Sequence, residues 1–458
     1  MPAPVTVFWF RRDLRLHDNA GLYHALKSGH PVVPLFIFDR HILDVLEDED
    51  DSRVTFLRQT VAHLQEQLRE KGAPMEVHYG TPKQIWERLL GKYEIVEAHT
   101  NRDYESYARE RDEEIDALLR DSGASGLYGH KDHVIFEADE VQKKAGGYYT
   151  VFTPYARTWI GKLDTRPDED ANGEPVSFYL KPYPCERYEG AYAKTDVYGA
   201  GGDCPSLADM GFCESDTPIP GTTPEEALIA RYDRTRDIPG IEGTSRLGPH
   251  FRHGTVSIRQ WARRARALND TFLTELIWRD FYSQVLQVYP RVVTESFRAE
   301  YDQIEWRNDE AEFAAWCEGR TGYALVDAGM RQLNQIGYMH NRVRMLTASF
   351  LTKHLLIDWR WGERYFARKL LDYELASNNG GWQWAAGSGC DASPYFRVFN
   401  PMTQLKKFDK DLRYVREYVP EYGTDDYVEP IVDHREGRER ELRVYKEGLQ
   451  RARAEGSK

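Results

Sequence analysis

Hydrophobic residues in the first third of the chain cluster in short runs that are rich in β-branched side chains. Four runs, "VTVFWF" (5–10), "PVVPLFIF" (31–38), "MEVHY" (75–79) and "YEIVEAHT" (93–100), alternate with stretches of helical periodicity such as "RVTFLRQTVAHLQEQLREK" (53–71). This alternation predicts βαβ units and a parallel sheet that is covered on both faces. We therefore predict a doubly wound, Rossmann-like α/β domain over residues 1–137, with its last strand near "HVIF" (133–136).

The pattern changes after residue 137 and again near residue 224. Residues 138–224 contain the Gly-, Pro- and Tyr-rich segments "KAGGYYTVFTP", "KPYPC" and "YGAGGDCP", which predict a long connector. From residue 225 to 458 the hydrophobic period is helical, and this part holds eight of the 11 tryptophans. The sequence thus predicts an all-helical second domain over residues 225–458 that ends in one highly charged helix.

Composition narrows the class of protein. The chain has 458 residues, a formal net charge of -13 and no apolar run of membrane-spanning length. The five cysteines form no CxxC pair, so neither a disulfide framework nor a metal site is expected. The first apolar run is typical of a strand and not of a signal peptide, and we expect a cytoplasmic protein.

Charge also limits the contacts with nucleic acid. The net negative charge argues against a general nucleic-acid coat, because phosphate affinity depends on cationic charge. No lysine lies between Lys194 and Lys353, although that stretch is dense in arginine. Guanidinium groups favour bidentate phosphate contacts, so a local anion site is compatible with the sequence.

One predicted helix, "FLTELIWRDFYSQVLQVYP" (272–290), has two distinct faces. One is an apolar stripe, and the other carries a carboxylate together with aromatic and cationic side chains. The stripe consists of Ile277, Phe281, Val285 and Val288. The second face consists of Glu275, Trp278, Arg279 and Tyr282. A core helix with a polar rim explains this pattern as well as a binding site does.

A second predicted helix, "YMHNRVRMLTASFL" (338–351), places an amide beside a thioether. Asn341 and Met345 are i,i+4 neighbours with Arg344 beside them, whereas Arg342 is predicted to point elsewhere. Asn and Met on one helical face are ordinarily packing residues. The segment alone does not decide between packing and binding.

Two glycine-containing segments are candidates for phosphate binding. "GSGCDA" (387–392) matches a dinucleotide fingerprint, but no strand is predicted before it, so we reject it. "EGTSRLGPHF" (242–251) begins a helical region, where free backbone N–H groups favour an anion. A simple helix N-cap by Thr244 or Ser245 is the alternative.

Several segments together resemble the photolyase and cryptochrome family. "FWFRRDLRLHDN" (8–19) is similar to its N-terminal signature. Five further segments resemble the flavin-domain signatures of the family: "EGTSRLG" (242–248), "ELIWRDFY" (275–282), "TGYALVDAGMRQL" (321–333), "GYMHNRVRM" (337–345) and "ELASNNGGWQWAAGSGCDASPYFRVFNP" (374–401). Four residues resemble class I cyclobutane pyrimidine dimer photolyases, namely Glu275, Asn341, Met345 and Trp384. The histidine pair of six-four enzymes has no counterpart near this helix.

The resemblance implies a flavoenzyme that holds FAD in its helical domain. It places Arg344 and Asp372 as an ion pair beside the flavin and Asn378 opposite the flavin N5. Gly248 stands where relatives often have serine, and Glu374 where they commonly have aspartate. The implied FAD contacts are Tyr232, Thr244, Ser245, Arg246, Leu247, Gly248, Phe272, Arg344, Asp372, Glu374 and Asn378.

The same resemblance implies light-driven repair of pyrimidine dimers in damaged DNA. Reduced FAD, excited by blue light, would pass an electron to a flipped-out dimer and regain it after the cyclobutane ring opens. The implied catalytic residues are Glu275, Asn341 and Asn378. The implied DNA contacts are Glu275, Trp278, Arg279, Tyr282, Asn341, Arg342, Met345, Trp384, Arg397 and Gln404. Neither a membrane nor an obligate protein partner is implied, and we expect a monomer.

Three tryptophans match the electron-transfer chain of the family, namely Trp306, Trp359 and Trp382. If "NNGGWQWAAG" (378–387) is helical, Trp382 and Trp384 lie about 200° apart around the axis. Their rings then face nearly opposite ways. We therefore expect Trp382 to belong to the electron chain and Trp384 to the lesion pocket.

Relatives usually bind a light-harvesting antenna pigment in the N-terminal domain. Tyr107 and Ala108 stand where folate-binding relatives have Asn and Glu. Methenyltetrahydrofolate, 8-hydroxy-deazaflavin, a second flavin and no pigment all stay open.

The main alternative function is a cryptochrome-type blue-light photoreceptor without repair activity. Cryptochromes often carry long tails beyond the flavin domain, whereas this sequence ends soon after it, and the whole lesion pocket is present in the sequence. A dark oxidoreductase would need a Rossmann glycine turn and an acid/base pair that we do not find. A simple DNA-binding module would not explain the flavin-side residues.

Overall fold

The computed structural model describes residues 4–169, 173 and 175–456. The chain divides into two compact units. Unit 1 comprises the described residues up to Val141, Arg157–Thr223 and Leu247–Ala267. Unit 2 comprises Gln142–Ala156, Pro224–Arg246 and the residues from Leu268 onward. Within the described ranges, no helix is both long and apolar enough to cross a membrane.

A five-stranded parallel sheet lies at the centre of unit 1 and confirms the predicted α/β class. Its strands are β1 (Val5–Phe10), β2 (Val32–Asp39), β3 (Glu76–Gly80), β4 (Ile95–Asn101) and β5 (Leu127–His130), in the order β3-β2-β1-β4-β5. β1 and β2 are buried along their whole length, as both-face coverage requires. A two-stranded antiparallel pair is formed by β6 (Pro167–Glu169) and β7 (Pro175–Ser177).

The prediction that the sheet ends at residues 133–136 was wrong. The last strand is β5, and "HVIF" forms a bend without ladder pairing. Val134, Ile135 and Phe136 are nevertheless buried. A short apolar run thus reflects burial, and burial alone does not require a strand.

Twenty α-helices accompany these strands among the described residues. The first eleven are α1 (Ala20–Leu26), α2 (Arg40–Leu43), α3 (Ser52–Glu70), α4 (Pro82–Lys92), α5 (Ser106–Asp121), α6 (Phe152–Leu163), α7 (Thr195–Tyr198), α8 (Glu226–Ala230), α9 (Tyr232–Thr235), α10 (Gly248–His253) and α11 (Ile258–Leu268). The others are α12 (Asp270–Val288), α13 (Glu310–Cys317), α14 (Ala324–Ile336), α15 (Asn341–Ser349), α16 (Trp359–Lys369), α17 (Leu375–Ala386), α18 (Pro401–Phe408), α19 (Arg413–Tyr418) and α20 (His434–Gly456). The helical C-terminal part and its charged last helix, α20, agree with the prediction.

Short helical turns complete the chain. They are 3-10 turns at Ala138–Glu140, Phe178–Leu180, Cys185–Ala191, Ala208–Met210, Pro290–Val293 and Ala299–Gln303, and a π-helical turn at Phe350–His354. The predicted connector, residues 138–224, is therefore not featureless, since it contains α6, α7 and the β6–β7 pair. The predicted domain bounds at residues 137 and 224 stay predictions.

A buried ion cluster in unit 1 explains part of the N-terminal signature. Arg259 donates to Asp132 at 2.7 Å and to Asp18 at 2.8 Å, and Arg15 donates to Asp132 at 2.7 Å. Burial alone would raise the pKa of Asp132, but Arg15 and Arg259 lower it to about 2. These residues of "RRDLRLHDN" therefore serve the fold of unit 1.

Candidate functional site

The helix α12 presents the polar and aromatic face that its sequence predicts. Asn269 caps it, accepting hydrogen bonds from the backbone of Thr271 and Phe272. Ile277 and Phe281 are fully buried, as expected for the apolar stripe. The four residues of the second face, Glu275, Trp278, Arg279 and Tyr282, are all partly exposed and line one cavity.

This cavity of unit 2 has a volume of about 460 Å³. Three helices supply most of its wall, namely α12, α15 and α17, and the loop of residues 370–374 supplies most of the rest. The predicted site residues that line it are Glu275, Trp278, Arg279, Tyr282, Asn341, Arg342, Arg344, Met345, Asp372, Glu374, Asn378, Trp382 and Trp384. Residues that are far apart in the sequence therefore meet at one concave surface.

Glu275 has a cationic partner that the sequence analysis missed. The guanidinium of Arg236 donates to Glu275 Oε1, and both side chains are partly buried. Arg236 also lines the cavity. Since its segment precedes α12 by more than 30 positions, no local period of the sequence could have indicated the pair.

Trp278 is fixed by aromatic packing. Its ring stacks on Phe152, with 3.6 Å between centroids and 4° between planes. Tyr282 lies beside it at 5.3 Å. Gly380 of α17 makes room for Tyr282, because a Cβ there would lie 2.2 Å from the tyrosine ring. The cavity wall on this side is therefore closely packed, and Phe152 is a supporting residue that the motifs did not indicate.

The helix α15 brings its amide and thioether to the cavity. Its N-cap, His340, accepts a hydrogen bond from the backbone of Arg342 at 3.2 Å. The prediction that Arg342 points away was wrong, because Arg342 lies against Met345 Sδ at 3.7 Å and lines the same cavity. Asp237 explains this orientation, since it accepts from Arg342 at 2.7 Å.

Arg344 and Asp372 form the ion pair that the resemblance implies. Arg344 Nη2 donates to Asp372 Oδ2 at 2.9 Å. Burial alone would lower the pKa of Arg344, and Asp372 raises it above its ordinary value. Asp372 Oδ1 is buried and has no hydrogen-bond partner among the described residues. One acceptor of the pair is thus left for a ligand donor.

Asn378 is oriented by a carboxyl group that the sequence analysis missed. Its amide nitrogen donates to Glu363 Oε1 at 3.0 Å and to the Glu363 carbonyl at 3.1 Å. Burial raises the pKa of Glu363. Because the nitrogen is committed to Glu363, the amide oxygen is the atom available to the cavity.

The two tryptophans of α17 differ in burial, although both line the cavity. Trp382 is buried against Phe366, with ring centroids 4.9 Å apart, and Trp384 is partly exposed. Gly362 allows this packing, because a Cβ there would lie 2.1 Å from the Trp382 ring. Trp359 is buried as well, and Trp306 is partly buried with its ring 5.9 Å from Tyr445.

Several predicted residues are not among those that line this cavity. Tyr232 and Phe272 pack edge to face at 5.1 Å, and Thr244 shares a hydrogen bond of 3.0 Å with Tyr338. Neither Thr244 nor Ser245 caps the following helix, since α10 begins at Gly248 after Leu247 without a side-chain cap. The remaining ones are Ser245, Arg246, Leu247, Gly248, Trp306, Trp359, Arg397 and Gln404.

The carboxylate of Glu374 has a structural partner. It caps α17 by accepting from the backbone and hydroxyl of Ser377, at 3.0 and 2.9 Å. Both residues line the cavity. The longer arm that distinguishes Glu374 from the family's aspartate is thus used to begin the helix that carries Asn378 and Trp382.

Three features fit the binding of FAD in this cavity. Asp372 Oδ1 is a buried acceptor and Trp382 Nε1 a buried donor, each without a partner among the described residues. Gly381 lines the cavity, and a Cβ added there would meet nothing within 4 Å. Space, donor and acceptor are therefore all available to a polar aromatic ligand.

The position that bears on the antenna pigment lies in unit 1. The Tyr107 hydroxyl donates to Asp39 at the end of β2. Arg111 lies 5.5 Å from the Tyr107 ring and 4.9 Å from the Trp9 ring. The tyrosine that replaces the family's folate-binding asparagine is thus held by neighbours of its own unit.

Comparison with known proteins places this site in a family. Residues 6–174 match the description "DNA photolyase", and residues 272–424 match "FAD binding domain of DNA photolyase". The deoxyribodipyrimidine photo-lyase of Halobacterium salinarum is 37% identical, covering 96% of this chain and 98% of that protein. The second match contains α15, α17 and nearly all of α12, which together form most of the cavity wall.

Three solved structures share the fold. A class III photolyase from Agrobacterium tumefaciens has a TM-score of 0.81 and 31% identity, covering 98% of each chain. An archaeal photolyase from Sulfolobus tokodaii with two FAD molecules has a TM-score of 0.80 and 33% identity, covering 96% of this chain and 99% of that chain. A Synechocystis cryptochrome has a TM-score of 0.80 and 25% identity, covering 97% of this chain and 99% of that chain. The chain therefore belongs to the DNA photolyase and cryptochrome family and has the family's FAD-binding domain.

Proposed function

We propose that this protein repairs cyclobutane pyrimidine dimers in DNA under blue light. One observation carries the proposal: the residues assigned to the flavin and those assigned to the lesion line the same cavity. Arg344, Asp372 and Asn378 belong to the first set, and Glu275 and Trp384 to the second. Bound FAD, once reduced and excited, would supply the electron that opens the cyclobutane ring and would recover it afterwards.

The lesion side of the cavity suits two stacked pyrimidines. Trp278 and Trp384 offer apolar walls, and the stack on Phe152 holds Trp278 in place. Glu275 and Asn341 offer polar atoms for pyrimidine edges. A damaged base pair is already weakened, so the cost of moving the dimer out of the duplex is lowest for this substrate.

The DNA backbone would be held by cations at and beyond the rim. Arg342 lines the cavity, and its guanidinium also lies 4.6 Å from the Phe408 ring of α18. That helix carries Gln404, and the exposed Arg397 precedes it. Contacts of this kind position the protein on phosphates and read no sequence.

The decisive experiment is a repair assay. The FAD-loaded, chemically reduced protein is mixed with an oligonucleotide that contains one cyclobutane thymine dimer, and the restored thymine absorbance is followed in blue light and in darkness. We expect product only in light. Equal product in both conditions, or none in light with reduced FAD bound, would overturn the proposal. An oligonucleotide with a six-four photoproduct tests the lesion class and should remain unrepaired.

Glu275→Ala tests the role of the acidic residue. Removing a charge-assisted hydrogen bond to the dimer should lower the repair yield by about tenfold, with FAD content retained. Glu312→Ala is the matched control, because Glu312 also pairs with an arginine, Arg307 at 2.7 Å, and does not line the cavity. Equal yields in the two variants would refute the role.

A blue-light photoreceptor without repair activity is the second candidate, because the Synechocystis cryptochrome shares the fold. The same assay distinguishes the two. A photoreceptor would bind FAD and respond to light, but it would leave the dimer intact. A separate experiment identifies the antenna pigment. The pigment is released from the freshly purified protein, and its absorption spectrum is recorded.

A further inference from the structure

Lys353 is a buried cation of unit 2 that the proposed repair chemistry does not use. It is the first lysine after Lys194, in a stretch that otherwise uses arginine. It lies in the π-helical turn Phe350–His354 and is 1% exposed. A buried ammonium destabilises a protein unless its donors are paired.

The Lys353 ammonium binds the backbone of the segment 394–397. Its Nζ donates to the carbonyl oxygen of Tyr395 at 2.9 Å and to that of Arg397 at 3.3 Å. The Arg397 backbone nitrogen in turn donates to the Pro394 carbonyl at 2.9 Å. A turn whose carbonyls share one cation has little freedom to change direction.

This segment exposes two side chains to solvent. Phe396 is 61% exposed, and Arg397 is exposed with its guanidinium 5.9 Å from the Phe399 ring. An exposed arginine on an irregular segment loses several rotatable bonds of freedom when it binds a phosphate. A fixed backbone beneath it therefore lowers the entropic cost of that contact.

Glu441 of α20 carries the opposing charge when it is ionised, and burial raises its pKa to about 7. It is completely buried, and neither carboxylate oxygen has a hydrogen-bond partner among the described residues. Burial lowers the pKa of Lys353, and Glu441 opposes that shift. Tyr445 of the same helix stacks on Tyr395, with ring centroids 5.9 Å apart and planes 18° apart. The last helix thus supports the segment by charge and by packing.

We propose that Lys353 is a positioning residue for DNA binding: its ammonium, balanced by Glu441, fixes the 394–397 backbone and so directs Arg397 toward a phosphate of the DNA. This inference rests on the proposed function, which places Arg397 at the DNA backbone. It extends that function, because it assigns the last helix an indirect role in recognition.

The experiment is a double-mutant cycle on the FAD-loaded full chain. The first change is Lys353→Met combined with Glu441→Gln, which removes both charges and leaves no uncompensated ion. The second change is Arg397→Ala. The dissociation constant for a dimer-containing oligonucleotide is measured in darkness over a series of salt concentrations, and the repair yield is measured at saturating DNA.

We expect each change alone to weaken binding by about tenfold and the combination to be no weaker than either. In every variant the slope of log affinity against log salt concentration should decrease in magnitude by about 1, because one phosphate contact is lost. The repair yield of the saturated complex should be retained. If Arg397→Ala weakens DNA binding as much in the Lys353→Met, Glu441→Gln variant as in the unaltered chain, Lys353 does not act through Arg397. The proposal is then overturned.

If the variant without both charges fails to bind FAD, Lys353→Arg is used in its place. It retains a cation with several donors, so affinity and its coupling to Arg397 should return to within about twofold. FAD content restored without DNA affinity would overturn the proposal.

The two proposals fail differently. Absence of dimer repair by the unaltered chain overturns the proposed function. An additive cycle in a chain that repairs dimers overturns only the role of Lys353. The same cycle on undamaged duplex tests the role of Lys353 in either case, since a phosphate contact does not need the lesion.

Discussion

Both units place a carboxylate beside arginine, but the two carboxylates differ in how completely their oxygens are paired. In unit 1, Asp132 accepts on both oxygens, from Arg15, Arg259 and the Ala20 backbone. In unit 2, Asp372 pairs one oxygen with Arg344 and leaves the other without a partner among the described residues. An unpaired buried polar atom costs about 1–3 kcal/mol. The carboxylate of Asp132, with both oxygens paired, serves the fold of unit 1, whereas the unpaired oxygen of Asp372 is left for a ligand donor.

The largest effect should come from removing the paired carboxylate of unit 1, and it should appear in the free energy of unfolding. Asp132→Ala leaves Arg15 and Arg259 buried without their shared partner, so the free energy of unfolding should fall by about 3–5 kcal/mol, as measured by denaturant unfolding. Asp168→Ala is the control in the same unit, because Asp168 pairs with Lys181 at 3.1 Å on the surface. If Asp132→Ala lowers the free energy of unfolding no more than Asp168→Ala does, the paired carboxylate of unit 1 does not stabilise the fold as we expect.

The pH dependence of stability tests the same cluster. The pKa of Asp132 is lowered from 3.8 to about 2, so its contribution is present above pH 3.8 and is lost as the pH falls toward 2. The shift corresponds to about 2 kcal/mol. Asp132→Asn should therefore flatten the acid limb of the stability curve, measured by unfolding between about pH 5 and pH 2. Parallel curves for the two proteins would contradict this expectation.

Filling the open cavity should affect the ligand and not the fold. Gly381→Leu places a side chain where a Cβ meets nothing within 4 Å, so FAD affinity should fall by about tenfold. Gly91→Leu in α4 is the matched control, since its Cβ also meets nothing within 4 Å. Both apoproteins should gain up to about 1 kcal/mol from helix propensity. Equal FAD affinity, measured by flavin fluorescence titration, would show that Gly381 does not face the ligand.

The smallest effect concerns one hydrogen bond at the cavity. Glu363→Ala removes one of the two acceptors of the Asn378 amide nitrogen and leaves only the backbone carbonyl of residue 363, so the orientation of the amide is held less firmly. FAD affinity should fall by about fivefold, the value of one hydrogen bond. Glu363→Gln keeps an acceptor for the amide and should stay near the unaltered value in the same titration. If both variants bind FAD equally, Glu363 does not orient Asn378.

Local patterns predicted much of this molecule because they arise from neighbours along the chain. β-branched runs marked the strands β1 to β4, and a helical period marked α12 and α20. The partners Arg236, Glu363 and Phe152 were missed, since none of them lies on the same helix as the site residue that it contacts. The misplacement of the last strand has a similar cause, because burial at residues 133–136 results from tertiary packing.

The sequence by itself determined the alternation of strands and helices, the family signatures and the chemical types of the site residues. Periodicity and signature motifs are properties of consecutive residues, and they survive without any knowledge of the fold. Only the tertiary structure decided that Arg342 turns toward Met345, that Asn378 offers its oxygen to the cavity, and that Lys353 holds the Arg397 backbone. Those outcomes depend on which distant donors and acceptors meet, and buried polar groups are oriented by the partners that the fold supplies.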